Sequence, residues 1–196
     1  MCGRFALRNP LLLKKEFKEL ILEQRFNIAP GQKILTINQR PNLIKWGFTP
    51  YWAEKPFNLI NARSDTLSKK PSFKNSSRCL IPADGWYEWK NEEGLKTPYF
   101  LHLENQIFYF AGVCGGYRGE VGCAIVTKEA SHNISSIHDR MPFILDKNQH
   151  QDWLQGEEIL NLDSSVSEKI TFYQVSTYVN NPNQDDEQCI KEEFSK

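Results

Sequence analysis

The sequence predicts an α+β chain that is mainly antiparallel β, and three observations carry that prediction. Short apolar runs bounded by Gly, Pro, Asn and Asp recur from residue 34 to residue 176, the pattern of strands joined by turns. Helical spacing is confined to residues 9–24 and 146–154, too little for a helical core. A length of 196 residues with 40% hydrophobic and 12% aromatic content fits one domain, residues 1–196, with a sizeable core.

Asn9-Pro10 reads as N-cap and first helical residue, with Leu13, Phe17, Leu20, Ile21 and Gln24 following at helical spacing. The Pro30-Gly31 turn leads to strands over 34–37 and 43–48. Residues 49–75 hold no period and mix aromatics with Lys, Arg and Asn, the composition of a binding loop. Arg78 to Pro82 is a strand, and Ala83-Asp84-Gly85 turns into Trp86-Tyr87-Glu88-Trp89, where alternation puts Trp86 and Glu88 on one face and Tyr87 and Trp89 on the other. Tyr99–Leu103 and Ile107–Val113 suggest a hairpin around Glu104-Asn105-Gln106. Val121–Thr127 and Phe143–Leu145 are further strands, 146–154 a capped short helix, Thr171–Ser176 a last core strand, and the acidic tail after Asn183 a solvated end.

The five cysteines, Cys2, Cys79, Cys114, Cys123 and Cys189, show no metal-ligand or disulfide spacing, so neither a metal nor a disulfide framework is expected. The last four read as small buried hydrophobes. No cofactor motif is present, and the absence of a long apolar run or signal peptide predicts a cytoplasmic protein away from membranes. The net charge of zero hides an asymmetry. Residues 1–90 carry 16 Lys or Arg against 7 Asp or Glu, and residues 91–196 carry 8 against 17. A basic face of this kind attracts a phosphate backbone.

The opening Met1-Cys2-Gly3 suits removal of Met1, which leaves Cys2 with both an α-amine and a thiol. An α-amine has a pKa near 8 against about 10.4 for Lys, so its neutral, nucleophilic fraction at pH 7 is roughly 300-fold larger. With an aldehyde the amine forms a Schiff base and the thiol closes a durable thiazolidine ring. With an acyl group the same residue is an N-terminal nucleophile of the amidohydrolase kind.

Glu88 lies among three aromatics, surroundings that raise a carboxyl pKa toward neutrality. His138 offers general acid or base chemistry and Arg140 a phosphate ligand. Tyr51 and Trp52 suit stacking on unpaired bases, with Arg63 and the loop lysines on phosphates.

Several blocks in fixed order resemble one known family. Met-Cys-Gly-Arg-Phe, Phe26-Asn27-Ile28-Ala29-Pro30, Trp46-Gly47-Phe48, Asn61-Ala62-Arg63-Ser64, Arg78 through Trp89, His138-Asp139-Arg140-Met141-Pro142 and Val179-Asn180-Asn181-Pro182 are similar to the signature blocks of the SOS-response-associated peptidases, or SRAP proteins, which process abasic sites. The resemblance implies a curved-sheet or barrel-like fold with short peripheral helices that binds abasic single-stranded DNA and crosslinks to it, and a monomer is expected. It also implies roles. Cys2 matches the nucleophile, Asn61 a residue positioning amine or sugar, Glu88 the acid/base beside the amine, and His138 an acid for opening the sugar. Arg63 and Arg140 match phosphate contacts, while Arg4, Pro30, Trp52 and Trp89 line the DNA cleft by analogy. Strand cleavage by β-elimination would be a side reaction, and removal of Met1 the only proteolysis. Asp65 stands where the family more often has Glu.

Two other classes fit parts of the sequence: a glutamine amidotransferase, whose members also begin Met-Cys-Gly but whose oxyanion-hole loops are not evident, and a non-catalytic single-strand-binding module.

Overall fold

The computed structural model describes residues 2–15, 17, 21–104, 106–157, 159 and 164–193. Two sheets make the fold. The first has five antiparallel strands in the order β13-β8-β7-β1-β2: Thr171–Gln174, Leu95–His102, Gly85–Glu92, Arg4–Leu7 and Arg25–Ile28. The amino-terminal strand β1 therefore runs inside a sheet.

The second sheet curls on itself. It contains β3 (Lys33–Ile37), β4 (Pro41–Trp46), β5 (Asn61–Arg63), β6 (Ser77–Ala83), β9 (Phe108–Tyr117), β10 (Glu120–Glu129), β11 (Arg140–Pro142) and β12 (Ile144–Leu145). Pairing runs β10-β4-β3-β6-β9 and returns from β9 to β10, so five strands close a ring. The expectation of a barrel-like, mainly antiparallel fold holds. Only the β10 pairings with β4 and β5 are parallel among the described pairs.

Two-residue turns set the registers. Glu93-Gly94 joins β7 to β8 and Arg118-Gly119 joins β9 to β10, and all four residues have positive φ, from 48° to 90°. This matches the twist that antiparallel strands require, and glycine takes it without strain in the second position.

Side-chain alternation sends each barrel strand into two clusters. Ile81, Phe110 and Ile125 join Cys2, Phe5, Trp46 and Trp86, while Leu80, Ala111, Val113, Ala124 and Val126 pack with Phe143 and Trp153. Edge-on aromatic contacts bind the sheets together, with Phe5 centred 5.3 Å from Trp46 and 5.9 Å from Phe110, and Trp86 5.9 Å from Phe108. The helix α1 (His150–Gln155) is the one α-helix among the described residues. It follows a capping box of Asp146 and Gln149, ends at left-handed Gly156, and places the Trp153 indole on the Cys79 carbonyl at 3.0 Å.

Five expectations change. After Asn9 the chain makes a 3-10 helix over Pro10–Lys15 with Leu13 buried. Leu20 lies outside the described residues, and Ile21 is 95% exposed, so the helical spacing marks no buried face there. The hairpin around residues 104–106 does not form. β8 and β9 belong to different sheets, and the segment is a crossover, because each strand finds its partner through a tighter turn nearby. Loop 49–75 contains β5, which its three residues were too few to reveal, and β13 is a half-exposed edge. The acidic tail is docked: Cys189 is fully buried, and Asp185 accepts from the backbone amides of Phe26 and Asn27 at 2.5 and 2.7 Å.

A buried ion pair ties β1 to β7. The Asp84 carboxylate has no exposed surface. It accepts from the Arg8 and Asn9 amides at 2.7 and 2.8 Å and from the Arg8 guanidinium at 3.0 Å. Asp84→Ala strands these donors and should cost about 3 kcal/mol, read as a fall in Tm of roughly 10 °C. A melting curve unchanged within error would show the pair to be dispensable.

Candidate active site

The register of β1 on β7 builds the site. Arg4 faces Tyr87 and Phe5 faces Trp86, so the chain preceding Arg4 runs alongside Glu88 and Trp89. Both of these residues line an open cleft of about 740 Å³, together with Asn91, Lys96, Ile137, His138 and Asn180. Three predicted residues, Glu88, Trp89 and His138, therefore share one cavity beside the strand that follows Cys2.

Cys2 is fully buried, its thiol pointing to the Arg4 carbonyl at 3.7 Å. Burial pushes the thiol pKa well up, and the nearby Glu88 charge adds to the shift. The thiol is thus held protonated near neutral pH. Glu88 is 1% exposed, and burial raises its carboxyl to about 7 despite the opposing pull of the positive amino terminus. The sequence expectation of a raised carboxyl is met, for the expected reason of poor solvation. The same amino-terminal charge, after burial, lowers the pKa of His138 and also pulls down that of Cys2. All three groups lie within its field.

His138 has a two-way nitrogen. Its Nδ1 accepts the Arg140 amide at 3.0 Å and lies 2.8 Å from Asp139 Oδ1. Neutral imidazole suits the first contact and imidazolium the second, so a proton can arrive with a partner ready.

The other predicted residues fall into three places. Asn61 and Arg63 on β5 lie beside Ile125 and Thr127 of β10, whose far side pairs with Arg140 on β11. Asn61 Nδ2 donates to the Ile60 carbonyl at 3.0 Å, while its Oδ1 is buried without a hydrogen-bond partner. A buried acceptor left open has a free-energy cost that a donor entering the site would remove. Arg140 is buried and anchored on Thr127 by contacts of 2.7 and 3.2 Å from Nη2. Arg63 is exposed and paired with Asp65.

Trp52 and Pro30 lie elsewhere on the surface. Trp52 is 47% exposed, edge-on to half-exposed Phe57 at 5.8 Å, and neither lines the Glu88 cleft. Arg4 is committed to the fold. Its guanidinium donates to Asn27 Oδ1 at 2.8 Å and to the Val179 and Asn180 carbonyls at 2.9 and 3.2 Å.

That bonding exposes two residues for which sequence reasoning gave no role. Buried Asn27 donates to the carbonyls of Val179, Asn181 and Gln184 at 3.0, 3.1 and 2.7 Å. Asn180 accepts from the Trp89 indole at 2.8 Å and forms a cleft wall. Their only sequence signal was membership of the Phe26–Pro30 and Val179–Pro182 blocks.

Fold and site together define a β-rich protein with an acid/base cleft beside an amino-terminal cysteine strand. The chain belongs to the SOS response associated peptidase (SRAP) family, whose pattern matches residues 1–182. It is similar to the abasic site processing protein YoqW of Bacillus subtilis (strain 168), 34% identical over 97% of this chain and 99% of that one. The abasic site processing protein YedK of Escherichia coli (strain K12) is 32% identical over 80% of this chain and 81% of its own length. A solved structure of a Bacteroides thetaiotaomicron protein shares the fold, with a TM-score of 0.78 at 22% identity, covering 98% of this chain and 100% of that one.

A folded pKa near 7 for Glu88, above the unfolded value of about 4.3, means that ionising Glu88 destabilises the fold. The cost is absent below about pH 4, grows between about 4 and 7, and is complete above, at roughly 4 kcal/mol. Glu88→Gln, which cannot ionise, should therefore gain stability relative to the parent between about pH 5 and pH 8 in urea unfolding. A difference that does not vary with pH would refute the buried-acid assignment.

Proposed function

We propose that this protein processes abasic sites in single-stranded DNA, and that it does so by covalent capture on Cys2 after Met1 is removed. The observation that carries this reading is the clustering of Glu88 and His138 in one cleft beside the strand that follows Cys2. The names of YoqW and YedK support the abasic substrate.

An abasic deoxyribose is a masked aldehyde. Glu88, with a pKa of about 7, or His138 protonates the ring oxygen as C1′ opens. The Cys2 amine attacks C1′, and loss of one water leaves a protonated Schiff base. The Cys2 sulfur then adds to the same carbon and releases its proton, giving the thiazolidine. The buried thiol, held protonated, is a weak first nucleophile, which supports amine-first order. Asn61 Oδ1 is available to accept from the amine. Arg63 and Arg140 hold phosphates, and Trp89 lines the path of the strand. Because the Schiff base also acidifies the neighbouring sugar carbon, β-elimination is a side reaction.

The test mixes protein, its amino terminus checked by intact mass, with a single-stranded oligonucleotide bearing one abasic site. The expected product is a denaturant-stable adduct of protein plus DNA minus one water, absent with Cys2→Ala and with undamaged DNA. Correctly processed protein that gives no adduct ends the proposal, and glutamine hydrolysis would then point to the amidotransferase class. The rate should follow a bell in pH, rising as the amine loses its proton and falling above about 7 as Glu88 does. Glu88→Gln should lose about a hundredfold in rate together with the alkaline limb. An unaltered profile would remove Glu88 from the mechanism.

A further inference from the structure

One carboxylate stands between the two arginines that the reading above gives to the DNA backbone. Arg63 holds Asp65 in a two-pronged pair, Nε to Oδ1 at 3.1 Å and Nη2 to Oδ2 at 2.8 Å. Asp65 Oδ1 also lies 4.0 Å from Arg140 Nη2. Two carboxylate oxygens in a guanidinium fork occupy the positions that two phosphate oxygens would take.

The two arginines differ in freedom. Arg140 is fixed on Thr127 and buried, whereas the Arg63 and Asp65 side chains are 55% and 50% exposed. Arg63 can therefore exchange one anion for another without disturbing the core. Asp65 reaches it from two residues along, in the middle of the 3-10 turn Ser64–Thr66 that follows β5. This short tether keeps a competing anion at Arg63 whether or not DNA is present.

We propose that Asp65 is a built-in phosphate surrogate: it fills the anion site of Arg63 and Arg140 and has to leave when a backbone phosphate docks. The consequence is specificity. Holding of undamaged single strands is kept weak, and lasting retention depends on covalent capture at an abasic site. This inference rests on the assignment of the two arginines to phosphates.

The test measures affinity for an undamaged oligonucleotide by fluorescence anisotropy across a salt series. The proteins are the parent, Asp65→Asn, Asp65→Ser, Arg63→Ala, the Arg63→Ala/Asp65→Asn double variant, and Asp139→Asn. Asp139 acts on Arg63 through space, so its variant controls for simple loss of negative charge. Because an exposed ion pair contributes little, Asp65→Asn should bind about three- to fivefold tighter at low salt, with a salt slope steeper by about one phosphate contact. The gain should vanish in the Arg63→Ala background and be smaller for Asp139→Asn. Asp65→Ser should behave as Asp65→Asn does, which separates release of Arg63 from any effect of the new amide.

Binding that is no tighter for either Asp65 variant overturns the proposal. So does an equal gain with and without Arg63, which would be a general charge effect. Crosslinking of the parent to an abasic oligonucleotide is run alongside. Its failure would count against the proposed function, while the binding series on undamaged DNA still decides the role of Asp65.

Discussion

The site depends on where the amino-terminal strand is held, and the buried Asp84 carboxylate holds it. Asp84 lies between β6 and β7 and takes the amides of Arg8 and Asn9 at the far end of β1. A free end of a chain frays unless something anchors it. Here the anchor is a charge with no exposed surface, whose loss would leave several donors unpaired. Because β1 is only Arg4–Leu7, fixing one end fixes the other, and residue 2 is placed beside Glu88.

The amino-terminal end has its own clamp. Arg4 bonds to Asn27 on β2 and to the carbonyls of residues 179 and 180, and Asn27 bonds to the same stretch. Asp185 closes the outer side by pairing with Arg25 and capping two β2 amides. Residues from the two ends of the chain thus meet around the cleft, and Asn180 on Trp89 makes its wall. The acidic carboxyl-terminal half therefore supplies structure at the edge of the cleft.

Burial sets the chemistry. The same desolvation that raises Glu88 to about 7 keeps the Cys2 thiol protonated and His138 neutral. Near neutrality Glu88 therefore still holds a proton, whereas His138 does not. A solvated cleft would ionise Glu88 and remove that proton. The edge-on contacts of Phe5, Trp46, Trp86 and Phe110 pack the core on which β1 and β7 lie.

The sequence by itself determined the β-rich class, most strand positions, the two faces of residues 86–89 and the raised Glu88 carboxyl. Each is a local property, readable from period, turn residues or the composition around one side chain. Only the tertiary structure decided which strands pair. It sent β8 and β9 to separate sheets although they are neighbours in the chain, because the Glu93-Gly94 and Arg118-Gly119 turns supply nearer partners. It also committed Arg4 to the fold, docked the acidic tail, and set Asp65 between Arg63 and Arg140. These outcomes rest on contacts between residues up to 176 positions apart. A hydrogen bond of that span leaves no periodic trace, because it depends on where folding brings two distant backbones together.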